Sequence, residues 1–75
     1  MNQDILQGKW KQVRGEVKSW WGRLTNDDLD RIGGSFDRLA GILQERYGYS
    51  KEEAQRNIAD FMDQVEYKLD LRVKK

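Results

Sequence analysis

The chain has 75 residues, 36% charged and 37% hydrophobic, with no Cys, His or Pro, the size of one small domain near the lower limit for a single hydrophobic core. Without Cys and His there can be no disulfide, thiol nucleophile, zinc finger, imidazole acid or base, or Ser-His-Asp triad, and any metal would have oxygen ligands only. Fourteen Lys and Arg against thirteen Asp and Glu give a net charge of +1, which by itself argues for neither a nucleic-acid nor a membrane partner.

The mean hydropathy of -0.96 and the lack of a long uncharged apolar run predict no membrane span. The opening MNQDILQGKW lacks the basic-then-apolar layout of a signal peptide, so a cytoplasmic setting is expected.

From Leu6 to Leu24 the apolar residues fall at positions 6, 10, 13, 17, 20, 21 and 24, one stripe of an amphipathic helix. Lys11, Arg14 and Lys18 lie on the far side of that wheel and are expected in solvent. Thr25 with Asp28 three residues on forms a capping-box pair, and Asp27 and Asp28 suit the positive end of a helix dipole. A short helix through Leu29 and Ile32 follows, ended by Gly33-Gly34. Ser35 or Gly34 caps a third helix with the stripe Phe36, Leu39, Ala40, Leu43 and Tyr47, and Gly48 is placed as the left-handed residue after its end. Ser50-Lys51-Glu52-Glu53 is a second capping box. It opens a fourth helix from about Lys51 to Leu69, with Ala54, Ile58, Phe61, Met62, Val65 and Leu69 on one face. No period-two alternation or hairpin signal interrupts this pattern. The fold class expected is all-α.

Six of the seven glycines stand at 8, 15, 22 and at 34, 41, 48, so G-x6-G-x6-G occurs twice with an offset of 26. The same offset relates Trp10 to Phe36, Val13 to Leu39, Val17 to Leu43 and Trp21 to Tyr47. The pattern predicts a duplicated unit: four helices in two short helical hairpins packed across each other, forming a single domain over residues 1–75. Gly15 and Gly41 fall mid-helix, where glycine costs about 1 kcal/mol relative to alanine. Either a neighbouring backbone approaches them too closely for a Cβ, or the helices are kept marginal.

Gly8-Lys9-Trp10-Lys11-Gln12, Gly15, Val17-Lys18, Trp21-Gly22-Arg23-Leu24-Thr25 and Asp28 resemble the N-terminal pattern of the CsbD-like family of small bacterial proteins. Gly34, Asp37, Leu39, Gly41, Gln44 and Tyr47-Gly48-Tyr49 continue the resemblance, which spans about Met1 to Tyr67. It implies a small helical domain, a bacterial cytoplasmic setting and an association with general stress response, with no catalytic residues. The chain departs from the pattern in an extra aromatic at Trp20, in Phe36 where a polar residue is common, and in Phe61 where Trp is expected.

The functional expectations follow from these residues. The chain is expected to be a non-catalytic stress-associated protein, a protectant in one version, with no cofactor. Asp27, Asp28 and Asp30 form the only dense carboxylate cluster, but a helix start accounts for them and they lack the loop of a calcium hand. Thr25 and Ser50 are engaged as caps without a base. The alternative is a nucleic-acid-binding or anion-binding face made by Lys9, Lys11, Arg14, Lys18 and Arg23, interleaved with Trp10, Trp20 and Trp21. The same residues suit an anionic membrane surface only if the helix leaves the core. A monomer is expected, with a homodimer as the alternative, and Trp20, Phe36, Tyr67 and Leu71 are the apolar residues the stripes house least well.

Overall fold

The computed structural model describes residues 3–69, and every regular element among them is an α-helix: α1 (Gln3–Gly8), α2 (Trp10–Trp20), α3 (Asn26–Ile32), α4 (Phe36–Tyr47) and α5 (Lys51–Lys68). The all-α class is as expected, but there are five helices among the described residues where four are predicted. The helix expected from Leu6 to Leu24 is interrupted at Lys9 and ends at Trp20. Lys9 takes φ -108° and ψ 16° and gives α2 no side-chain cap. Gly8 just before it lowers the cost of departing from helix geometry.

A long-range contact accounts for the break. The Gln3 side chain donates through Nε2 to the Gly34 carbonyl and accepts through Oε1 from the Phe36 N–H at 3.0 Å. Gly34, at φ +89°, lies so close to α1 that a Cβ there would be 2.9 Å from Gln7 Cα. Helix α1 is therefore seated on the turn between α3 and α4, a position that a straight continuation of α2 does not specify.

The remaining ends follow local chemistry. Thr25 and Ser50 each complete a reciprocal capping box, with Asp28 and Glu53 respectively. Ser35, not Gly34, caps α4, accepting from the Arg38 N–H. Gly33 and Gly48 end α3 and α4 in the left-handed conformation.

Helix α4 packs against both α3 and α5, and α2 touches α1, α3 and α5. The buried core draws on all five helices, from Leu6 in α1 to Val65 in α5, with Phe61 the largest fully buried side chain. Two residues differ from the stripes. Ile42 is buried although it lies outside the predicted α4 stripe, because α3 covers a second flank of α4. Trp10, expected in the core with Trp21, is only half-buried, while Trp20, one of the residues the stripes house least well, keeps 41% of its surface in water.

Gly15 and Gly41 are both exposed, and a Cβ built at either position meets nothing within 4 Å. Close backbone approach is thereby removed as their explanation. What remains is the propensity penalty. Gly15→Ala and Gly41→Ala are each expected to stabilise the domain by about 0.5–1 kcal/mol, raising the melting temperature by roughly 2–8 °C, and the two effects should add. A thermal melt of the two single variants and the double variant checks this; a fall in either single melt would mean that the glycine serves a contact after all.

Candidate functional site

The five basic residues expected to form a binding face are not five free cations. Lys9 lies between α1 and α2 and Lys11 on the first turn of α2, both exposed. Arg14 is half-buried, contrary to the expectation from the helical wheel, and its guanidinium meets the Asp30 carboxylate at 3.2 Å. Lys18 reaches past the end of α2, its ammonium donating to the carbonyls of Gly22, at 3.1 Å, and Leu24. A cation in the last turn favours the negative end of the helix and satisfies carbonyls of the loop that the helix no longer engages. Arg23 places its guanidinium 5.4 Å from the centre of the Tyr47 ring, while its own N–H donates to the Tyr47 hydroxyl at 3.2 Å.

This last contact joins two motifs far apart in sequence. Tyr47 and Tyr49 stack at 5.3 Å with their rings 17° from parallel, on either side of Gly48, whose φ of +68° makes the turn. The segment Trp21-Gly22-Arg23 therefore meets Tyr47-Gly48-Tyr49, held by a cation–π contact and a backbone hydrogen bond. Sequence reasoning identified both motifs without identifying them as partners.

The aspartates of α3 are likewise divided among separate tasks. Asp27 is exposed, Asp30 pairs with Arg14, and Asp28 is fully buried. Asp28 accepts from Arg46 Nε at 2.9 Å and Nη2 at 2.8 Å, and from the Thr25 N–H at 3.0 Å. The Arg46 guanidinium is the main reason that the Asp28 carboxyl titrates at about 2; the Thr25 backbone bond adds to it against the opposing effect of burial. The same contact holds Arg46 more firmly protonated. Asp28 thus caps α3 and ties it to the last turn of α4, a bidentate charge-assisted pair. Among the described residues no group of three or more carboxylates converges as a metal site.

Of the four apolar residues expected at an interaction surface, the structure brings two together. Trp20 and Tyr67, which are 41% and 78% exposed, line one groove between α2 and α5. Phe36 is half-buried and packs against the core at the start of α4, where Gln3 holds its N–H. Leu71 lies outside the described residues. A separate notch of about 490 Å³ on α3 and α4 is lined by Arg31, Arg38, Gly41, Ile42 and Glu45. Arg31 is already engaged there by Glu45 at 3.3 Å and Asp28 at 3.6 Å.

These features define a small all-helical domain whose inward-facing charged and polar groups secure helix ends and helix contacts. The CsbD-like family model matches residues 4–56, and the chain belongs to that family. A UPF0337 protein of Bordetella pertussis is 56% identical over 63 residues, covering 84% of this chain and 96% of that one. A UPF0337 protein of Pseudomonas aeruginosa is 51% identical over 65 residues, 87% and 100% of the two chains. The UPF0337 protein YjbJ of Escherichia coli K12 is 47% identical over 68 residues, 91% and 99%. No solved structure matches. No helix among the described residues is long and apolar enough to cross a membrane.

Proposed function

We propose that this is a non-catalytic, stress-associated protein of the bacterial cytoplasm that acts by abundance, protecting other macromolecules rather than transforming a substrate. Beyond family membership, the observation that carries the reading is how the titratable groups are used. Asp28, Arg46 and Glu53 all shift toward their charged forms, because partners that cap or join helices hold them there. A general acid or base working near neutral pH needs the opposite: a carboxyl raised, or a cation lowered, toward that range. The missing Cys removes thiol oxidation from the reactions the chain can undergo under stress. The 26-residue glycine spacing is read here as the trace of a duplicated unit, supported by α2 and α4 starting at Trp10 and Phe36.

The test is to dry an aggregation-prone enzyme with a molar excess of this protein, using an equal mass of an unrelated helical protein as control. Higher recovered activity than the control is expected. Equal recovery would remove the protectant role. Nucleic-acid binding by α2 is the competing reading; it draws on the exposed Lys9, Lys11 and Trp20, while Arg14, Lys18 and Arg23 already have partners. A gel shift near 50 mM salt that weakens steeply with added salt would favour it instead.

A further inference from the structure

We propose that α1 is a hinged strap, which leaves the α3–α4 turn by straightening at Lys9 and gives the domain a second native arrangement with α1 and α2 as one helix.

The joint is one residue long. The Lys9 N–H donates to the Ile5 carbonyl at 2.9 Å and the Lys9 carbonyl accepts from the Val13 N–H at 3.0 Å, both spanning four residues as in an α-helix. What departs from the helix is Lys9 itself, whose φ of -108° and ψ of 16° compare with about -63° and -42° in a helix. Gly8 and Lys9 are exposed, and a Cβ built on Gly8 meets nothing within 4 Å, so the joint is not itself packed.

Different interactions support the two arrangements. Local sequence favours the straight one. The chain has no Pro, and the apolar stripe that starts at Leu6 runs on through Trp10, Val13 and Val17 with helical spacing. The bent one rests on docking: the burial of Leu6, the two bonds of the Gln3 side chain, and the approach of Gln7 to Gly34. At six residues α1 is too short to persist as a helix in water by itself, so once undocked it keeps its hydrogen bonds by joining α2. Undocking leaves in place the contacts that hold the other helices, including both capping boxes and the Asp28–Arg46 pair. A segment with one buried side chain, Leu6, therefore opens at lower free energy than the whole domain. Opening bares Leu6 and the Phe36 N–H while α2 to α5 stay folded. Such a two-state element is the part of a fold on which a binding event can act.

The test is NMR relaxation dispersion on the full chain, which reads helix rearrangements on the microsecond-to-millisecond scale. The Leu6 methyls and the Gly34 and Phe36 amides should share one exchange process with a common rate and minor population. Gln3→Ala, which removes both docking bonds, should enlarge that population at least fivefold. In the minor form the Lys9 Cα shift should move to a helical value. Ile58→Val, in the buried face of α5, should lower the thermal melt yet leave the minor population within about twofold, because the open form keeps that part of the core. A Gln3→Ala chain without the shared process overturns the proposal. So does a Lys9 shift toward the coil value, which would mean that α1 frays instead of straightening. A minor population that rises about fivefold in Ile58→Val would identify the process as global unfolding and overturn it equally.

Discussion

Replacing Gly34 with alanine is expected to cost the domain about 3 kcal/mol or more, most of the 3–5 kcal/mol that a core of this size supplies. Two effects combine. The backbone at φ +89° is strained for any residue with a side chain, and the new Cβ would sit 2.9 Å from Gln7 Cα, a backbone atom that cannot swing aside. Relief would require α1 to lift from the α3–α4 turn, which also breaks the Gln3 bonds to the Gly34 carbonyl and the Phe36 N–H. Gly48→Ala separates the two effects. Its φ is +68° but nothing lies within 4 Å of a built Cβ, so it should lose only the conformational part, about 1–2 kcal/mol. Urea denaturation of both variants tests the difference. Equal losses at the two sites would mean that the contact with α1 contributes nothing.

The second large effect belongs to the pair between α3 and α4. Arg46→Leu is expected to cost about 2–3 kcal/mol at pH 7, because it leaves the Asp28 carboxylate buried without its main partner. The figure is set below the full penalty for a buried pair because the Arg46 side chain is 44% exposed and water screens part of the attraction. Arg31, at 3.6 Å, supplies a weaker substitute.

The pH dependence follows from the direction of the shift. The Asp28 carboxyl has its pKa lowered to about 2 in the folded chain. Its contribution, on the order of 1–2 kcal/mol, is therefore complete above about pH 4, near the unfolded value, and is lost as pH falls toward 2. Glu53, lowered by its Ser50 capping bonds, weakens in the same direction. The penalty of Arg46→Leu should shrink over that window as Asp28 becomes protonated. Asp28→Asn should flatten the acid limb of the stability curve. Melts at pH 7, 4 and 2.5 are the measurement, and an Arg46→Leu penalty that does not change with pH would show that packing of the arginine stem dominates the pair.

How much of this could be read in advance depends on the range of each interaction. The capping boxes at Thr25 and Ser50, and the left-handed glycines after α3 and α4, lie where sequence reasoning placed them. Each is decided by groups within a few residues of one another. The helices carry most of the predicted apolar residues inward for the same reason, because the 3.6-residue period is a local property of the chain. The basic face shows where that logic stops. A helical wheel turns Arg14 and Lys18 away from the stripe, but it does not register that Asp30 or the carbonyls of Gly22 and Leu24 wait beside them. Asp28 was legible as a cap and illegible as an ion-pair partner. Its carboxylate has room for both roles only because the end of α4 comes to rest against the start of α3.

By itself the sequence determined that the domain is helical, where most helices begin and end, which residues carry the core, and to which family the chain belongs. Tertiary structure decided that the first helix breaks at Lys9, that Gly34 lies against Gln7 while Gly15 and Gly41 face open space, that Arg23 meets Tyr47, and that Trp20 and Tyr67 share a groove while Phe36 packs half-buried against the core. The hydrogen bonds among these contacts join residues from 24 apart, for Arg23 and Tyr47, to 33 apart, for Gln3 and Phe36. Periodicity fixes the face on which a side chain leaves its helix. The helix that face will meet, and at what height along it, is set by packing all five together around one small core, and no local spacing records that.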